Sequence, residues 1–158
     1  MHARYVLIHI PDYKKALARI ICALKPGGHI VLEEPDFTTA KGVNGTAEEI
    51  ESVRRVNLAI EHMYRDKGIN PAFGTLLPSL AEVQGMTDIR TEMNTPLLRG
   101  GEGVAEVMAL SAEQLQDRFI ATKQASAHDV RAYIKYCRNP QRWSVHYATI
   151  GMTARKPT

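Results

Sequence analysis

The spacing of apolar positions changes several times along this chain, and each change marks an element. From Asp12, residues Tyr13, Ala16, Leu17, Ile20, Ile21 and Leu24 recur at three- and four-residue intervals, while Lys14, Lys15 and Arg19 take the other side. That is an amphipathic helix with Asp12 as its N-cap. Lys25-Pro-Gly-Gly28 ends it, because proline cannot continue a helix and glycine accepts positive φ. His29-Ile-Val-Leu32 is short, β-branched and apolar on both faces, which predicts a strand covered on both sides. Glu33, Glu34 and Asp36 sit around Pro35 at its C-terminal end. The run Tyr5-Val-Leu-Ile-His-Ile10 fits a buried strand and a helical segment equally well, since spacing does not separate the two in so short a run.

Lys41 to Gly45 is rich in turn formers, and Thr46 with Glu49 then makes a capping box. The helix that follows carries Ile50, Val53, Val56, Ile60, Met63 and Tyr64 as its apolar stripe and ends at Gly68. A shorter helix spans about residues 74 to 84, with Gly85 just past its end. Residues 87–98 read as a strand that Pro96 weakens. Ser111 with Gln114 and Ser126 ahead of Val130, Tyr133, Ile134 and Cys137 mark two further helix starts. From Trp143 to about Ala154 the alternation of large and small or polar residues predicts a last strand. The order helix, strand, helices, strand, helices, strand suits a layered α/β sheet with three strands, 29–33, 87–98 and 143–154, in a single domain with a helical insertion at about 46–84.

Composition narrows the function classes. Twenty basic against seventeen acidic residues give a net charge of +3, and the charges are interspersed rather than gathered, which offers nucleic acid no patch. No apolar stretch is long enough for a membrane span. Cys22 and Cys137 are far apart with no CxxC spacing, as expected of reduced thiols in a cytoplasmic protein. His2, His9, His62, His128 and His146 have no metal-ligand spacing with one another or with cysteine, so no metal is expected.

Residues 2–35 carry a more specific signal. Arg4, Leu7, His9 and Asp12 form an R-x-x-L-x-H-x-x-D pattern. A helix follows, then Leu24-Lys-Pro-Gly-Gly28 stands directly before His29-Ile-Val-Leu-Glu-Glu-Pro35. This stretch resembles the middle of class I S-adenosylmethionine-dependent methyltransferases of the ubiquinone- and menaquinone-biosynthesis type, in which L-K-P-G-G precedes the fifth strand. Beyond residue 36 the likeness is one of layout, including a G-x-x-L-x-x-x-L-x-x-x-G helix at Gly74, Leu77, Ala81 and Gly85, with Ala81 in place of a larger apolar residue. The resemblance implies a partial Rossmann-like α/β fold whose last strand is antiparallel and lies between strands five and six. It also implies that the glycine-rich turn and the acidic residue that hold the cofactor in the N-terminal half are missing.

On that resemblance Ala3 and Arg4 would lie near the methionine part of S-adenosylmethionine. Glu33, Glu34 and Asp36 would lie on the rim where such sheets bind ligands, and His62 and Tyr64 on the lid over a small-molecule acceptor. The residues by themselves admit plainer roles: a solvated strand end for the carboxylates, local packing or capping for His9, and an ordinary amphipathic helix for His62 and Tyr64. Gly100-Gly-Glu-Gly103-Val-Ala-Glu106 imitates a phosphate-binding loop, yet Glu106 stands where the third glycine belongs and no strand follows at the right distance, so a flexible connection is expected. The resemblance implies a C-terminal fragment of a small-molecule methyltransferase, binding S-adenosylmethionine weakly or not at all by itself. A non-catalytic dimerising or partner-binding remnant is the alternative. Without a neighbour for strand 29–32, its bare edge predicts a homodimer with residues 1–32 at the interface.

Overall fold

Asp12 starts the first helix as its position requires: its carboxylate accepts from the Lys15 backbone N–H at 3.3 Å, and α1 runs Tyr13–Cys22 with Leu17 and Ile21 buried. Gly27 then turns the chain with φ +73°, and a Cβ on Gly28 would stand 2.8 Å from the Lys25 carbonyl oxygen, so both glycines are sterically required. The strand β2 that follows runs His29–Asp36, beyond the predicted end at residue 33. The computed structural model describes residues 1–158. The chain divides into two compact units, one of Met1–Asp36, Gly68–Asn94 and Thr149–Thr158, the other of Phe37–Lys67 and Thr95–Ala148.

The first unit is built on a four-stranded sheet of β1 (His2–Arg4), β2, β4 (Thr87–Asn94) and β7 (Ala148–Arg155), in the order β1-β2-β7-β4. The pair β1 and β2 is parallel, with His2 opposite Val31 and Arg4 opposite Glu33. The last strand is antiparallel to β4 and lies between it and β2. One face turns Ile30, Leu32, Ile150, Met152 and Ala154 into a core that also holds Leu7, Ile8, Leu17, Phe73, Leu77 and Ala81. On the other face His29 is exposed and Val31 only half-buried, so β2 is not covered on both sides as its apolar run predicts. α3 (Leu77–Val83) follows a tight turn at Phe73–Leu76. A Cβ on Gly74 would stand 2.6 Å from both Glu34 O and Ile150 Cγ1, which is why the motif needs glycine there.

Residues Leu7–His9, whose type spacing leaves open, form a short 3-10 turn. One expectation about the N-terminal residues is corrected: the edge of β2 is not bare. Met1 O accepts from Val31 N at 2.8 Å and Tyr5 N donates to Glu33 O at 2.8 Å, so the first five residues occupy that edge. Pro35 fits because β1 has already turned away at Tyr5, φ 52°, and asks for no donor there.

The second unit is helical with a small antiparallel sheet. Its helices are α2 (Ala47–Asp66), α4 (Gly103–Gln114), α5 (Gln116–Ala121) and α6 (Ala127–Arg138); β3 (Lys41–Gly42), β6 (Trp143–Val145) and β5 (Leu98–Arg99) form the sheet in the order β3-β6-β5. Thr46 with Glu49 and Ser126 with Asp129 both form complete capping boxes. The core gathers Val53, Val56, Ile60, Ala109, Phe119, Val130 and Tyr133. Seven strands in two sheets therefore replace the three predicted. The run 87–98 breaks after Asn94, where Pro96 cannot donate to a ladder, and 143–154 breaks at His146-Tyr147. Ser111 and Gln114 close α4 rather than opening a helix, because the buried Ala105, Ala109 and Ala112 form one continuous stripe.

Candidate functional site

In the first unit, the sequence-predicted rim residues fall into three different environments. Glu34 is fully buried. Its carboxylate accepts from the backbone N–H groups of Val6 at 3.1 Å, Leu7 at 2.8 Å and Ile8 at 3.3 Å, so both oxygens are committed to the turn that follows β1. Burial pushes its pKa up, against the opposing pull of those three donors and of His9. The expectation that Glu34 meets a substrate is corrected: its oxygens are already satisfied by the chain. The turn itself has no side-chain cap of its own, and the acid supplied from the neighbouring strand fills that role.

Glu33 points to the opposite face, where His2 Nε2 lies 2.8 Å from its Oε2 and Arg4 Nη1 lies 3.8 Å from its Oε1. Arg4 also stacks over the Tyr5 ring at 5.1 Å. Asp36, at the strand's C-terminal end, is buried and engaged within the chain. Glu33 lines a shallow groove of about 600 Å³ on this sheet face together with His2, Arg90, Glu92 and Thr153. Sequence reading placed both glutamates on one rim, but adjacent residues of a strand point to opposite faces, so only Glu33 reaches open space.

In the second unit, Tyr64 stacks on Phe37 with ring centroids 4.9 Å apart, and Tyr147 meets Phe37 edge-on at 5.4 Å. Burial raises the Tyr64 phenol pKa. His62 sits on the outer side of α2, where its Nδ1 lies 3.0 Å from Asp66 Oδ2 in an i, i+4 pair. Beside Tyr147 stands a buried polar pair that sequence reading missed: Ser144 Oγ and His146 Nε2 are 2.9 Å apart. Burial depresses the His146 pKa to about 4, which keeps the ring neutral at physiological pH. Alternation places Ser144 and His146 on one face, as residues two apart in a strand must be, but it reads that face as the small or polar one and so gives no sign that the pair is buried. No group of three or more His, Cys, Asp or Glu residues gathers in a metal-binding arrangement, and no helix is long and apolar enough to cross a membrane.

The glycine loop at 100–103 is occupied by the chain itself. Gly100 N donates to Arg142 O at 2.9 Å and Gly101 N to Cys137 O at 2.8 Å. A Cβ on Gly100 would stand 2.2 Å from Asn139 O. These glycines close the loop against the end of α6, and their N–H groups are not presented to a phosphate.

The residues present do not make a complete site for S-adenosylmethionine. Ala3 and Arg4 point to opposite faces of β1, Arg4 is held by Glu33 and Tyr5, and no strand in residues 1–158 leads into an unoccupied glycine-rich turn. No methyl-transfer step follows from these residues by themselves.

No family model and no curated protein matches the chain. Among solved structures, the chain is similar to Haemonchus contortus phosphoethanolamine N-methyltransferase 2, solved with phosphomonomethylethanolamine and S-adenosylhomocysteine, at 19% identity and a TM-score of 0.48, with 99% of this chain and 33% of that chain covered. A Bacillus halodurans protein described as a methyltransferase gives 13% identity and a TM-score of 0.46, with 99% and 68% covered. The [4+2]-cyclase SpnF gives 18% identity and a TM-score of 0.42, with 99% and 48% covered. The chain thus spans about a third of the length of the Haemonchus contortus enzyme.

Proposed function

We propose that this chain carries the strand-four to strand-seven portion of a class I methyltransferase sheet, of the ubiquinone- and menaquinone-biosynthesis type, and that the whole protein transfers a methyl group from S-adenosylmethionine to a small molecule. The supporting observation is the strand order of the first unit. A parallel pair joined through α1 and L-K-P-G-G, with the last strand antiparallel between β2 and β4, is the arrangement that the motif at residues 2–35 implies. In this reading β1 corresponds to strand four, β2 to strand five, β4 to strand six and β7 to strand seven.

Within it, the turn at Tyr5–His9 held by Glu34 positions the backbone after strand four, and Glu33, with His2 and Arg4, borders the open face. The Phe37, Tyr64 and Tyr147 rings form a half-buried aromatic cluster, a chemistry suited to packing against a ring-bearing acceptor. Glu34 acts as a positioning residue and touches neither cofactor nor acceptor.

A non-catalytic reading is favoured by one observation: Glu33, the strand-end glutamate that reaches the groove, is already engaged by His2 Nε2 at 2.8 Å. The coding sequence on the 5′ side separates the two. An in-frame strand followed by a glycine-rich turn, in a protein that moves a labelled methyl group from S-adenosylmethionine to small aromatic acceptors, supports the methyltransferase. A protein that contains this segment yet neither binds S-adenosylhomocysteine nor transfers methyl groups overturns it.

A further inference from the structure

β4 ends the sheet of the first unit, and its outer backbone edge has no strand beside it. Seven of its eight residues are exposed, and Met93 is 56% exposed. The ladder with β7 is regular from Arg90 to Asn94 and shifts between Thr87 and Arg90, where Asp88 adopts φ 51°. Beyond the other end stands Pro96. These features leave about Ile89 to Met93 as a flat stretch able to pair.

The sequence of that stretch is its own complement. A two-fold axis normal to the sheet pairs two copies of an edge strand antiparallel and places residues of equal face opposite each other. With the axis at Thr91, Arg90 of each copy stands opposite Glu92 of the other, Thr91 opposite Thr91, and Ile89 opposite Met93. Both charged pairs then lie on the open face, and both apolar pairs on the face that carries Met152. Shifting the axis by one residue along the strand moves the register by two and brings like charges together. At Arg90 it sets arginine against arginine and Asp88 against Glu92; at Glu92 it sets glutamate against glutamate. Like charges directly opposite are destabilising and opposite ones favourable, so one register stands out. Arg90 and Glu92 make no salt bridge within the chain, unlike Asp88, which lies 3.7 Å from Arg155.

The geometry points to β4 as a self-pairing edge through which two copies of this chain join their four-stranded sheets into one, with the two-fold axis at Thr91. The association is reversible and concentration-dependent, because a single short edge buries a small area. It holds whether or not the chain takes part in methyl transfer.

Charge reversal tests both the surface and the register. Sedimentation equilibrium of the full chain should show mass rising with concentration from 17.6 kDa toward twice that value. Arg90→Glu and Glu92→Arg, each by itself, place like charges opposite and should weaken dimerisation about tenfold or more. An equimolar mixture of the two variants restores both pairs and should dimerise as the parent does, as should the double variant Arg90→Glu/Glu92→Arg. Recovery in the mixture cannot come from a misfolded chain. A chain that stays monomeric at about 500 µM, where weak transient interfaces are populated, overturns the proposal. So do single variants that dimerise like the parent, or a mixture that does not recover.

Discussion

Glu34 Oε1 lies 2.8 Å from the backbone N–H of Leu7, and this bond joins the centre of β2 to the turn that follows β1. Two further N–H groups, from Val6 and Ile8, complete the arrangement. Glu34→Gln keeps the shape but leaves one oxygen to accept where two did. It should cost about 1–3 kcal/mol of stability, the usual range for a buried donor left unmatched, read as a lower urea midpoint with an unchanged slope.

The same carboxyl has a pH signature. Because its folded pKa is raised from 4.5, its contribution is fully present below pH 4.5 and diminishes as pH rises through the folded value. The stability difference between parent and Glu34→Gln should therefore narrow from pH 4 upward. A difference that grows with pH over that range would contradict it.

His146 has the opposite sign. Its folded pKa is depressed from 6.5 to about 4, so its contribution is present above pH 6.5 and is lost as pH falls toward 4. The full effect is about 3 kcal/mol. His146→Gln should flatten the pH dependence of unfolding between pH 6.5 and 4, measured by tryptophan fluorescence, since Trp143 lies three residues away.

Lys156 Nζ donates to the carbonyl oxygens of Ile21 at 3.1 Å, Cys22 at 3.2 Å and Leu24 at 2.8 Å. It thus caps the C-terminal end of α1 with a positive charge, which also suits the helix dipole. Lys156→Met keeps the apolar stem and removes the cap, and should lower stability by about 1–2 kcal/mol. An unchanged thermal midpoint would mean that water replaces the ammonium group at no cost.

At Gly100, alanine would drive its Cβ into the Asn139 carbonyl oxygen, a backbone atom that cannot step aside. Gly100→Ala should be destabilising by about 3 kcal/mol or more. Gly103→Ala meets nothing within 4 Å but has φ +49°, and should cost about 1 kcal/mol. Equal effects at both positions would argue against the observed loop.

Local chemistry was legible from the chain itself. The Asp12 cap, the Thr46–Glu49 capping box, the helix start at Ser126, the Lys25–Gly28 turn and the helix stripes of α1, α2 and α6 all depend on residues within four positions of one another, and the structure has them where spacing predicts. Strand 29–32 was legible for the same reason. The motif at residues 2–35 points to the helix-to-strand order of α1 and β2 but leaves β2 without a neighbour, the place that β1 fills.

Pairing over long sequence separations was decided only by the tertiary structure. Nothing local shows that Met1 to Tyr5 would fill the edge of β2, because a strand partner is chosen by register across the sheet and not by neighbours in the chain. The roles of Glu33 and Glu34 separate for a related reason. The two are alike in sequence, but the pleat sends one to the open face and the other into the core, where three N–H groups from a turn twenty-six to twenty-eight residues away await it. The break at His146 was hidden too, whereas the one after Asn94 falls where Pro96 already weakens the predicted strand. Alternation predicts that a segment is extended, and the sheet it joins is settled by whichever edge is free when the chain is folded.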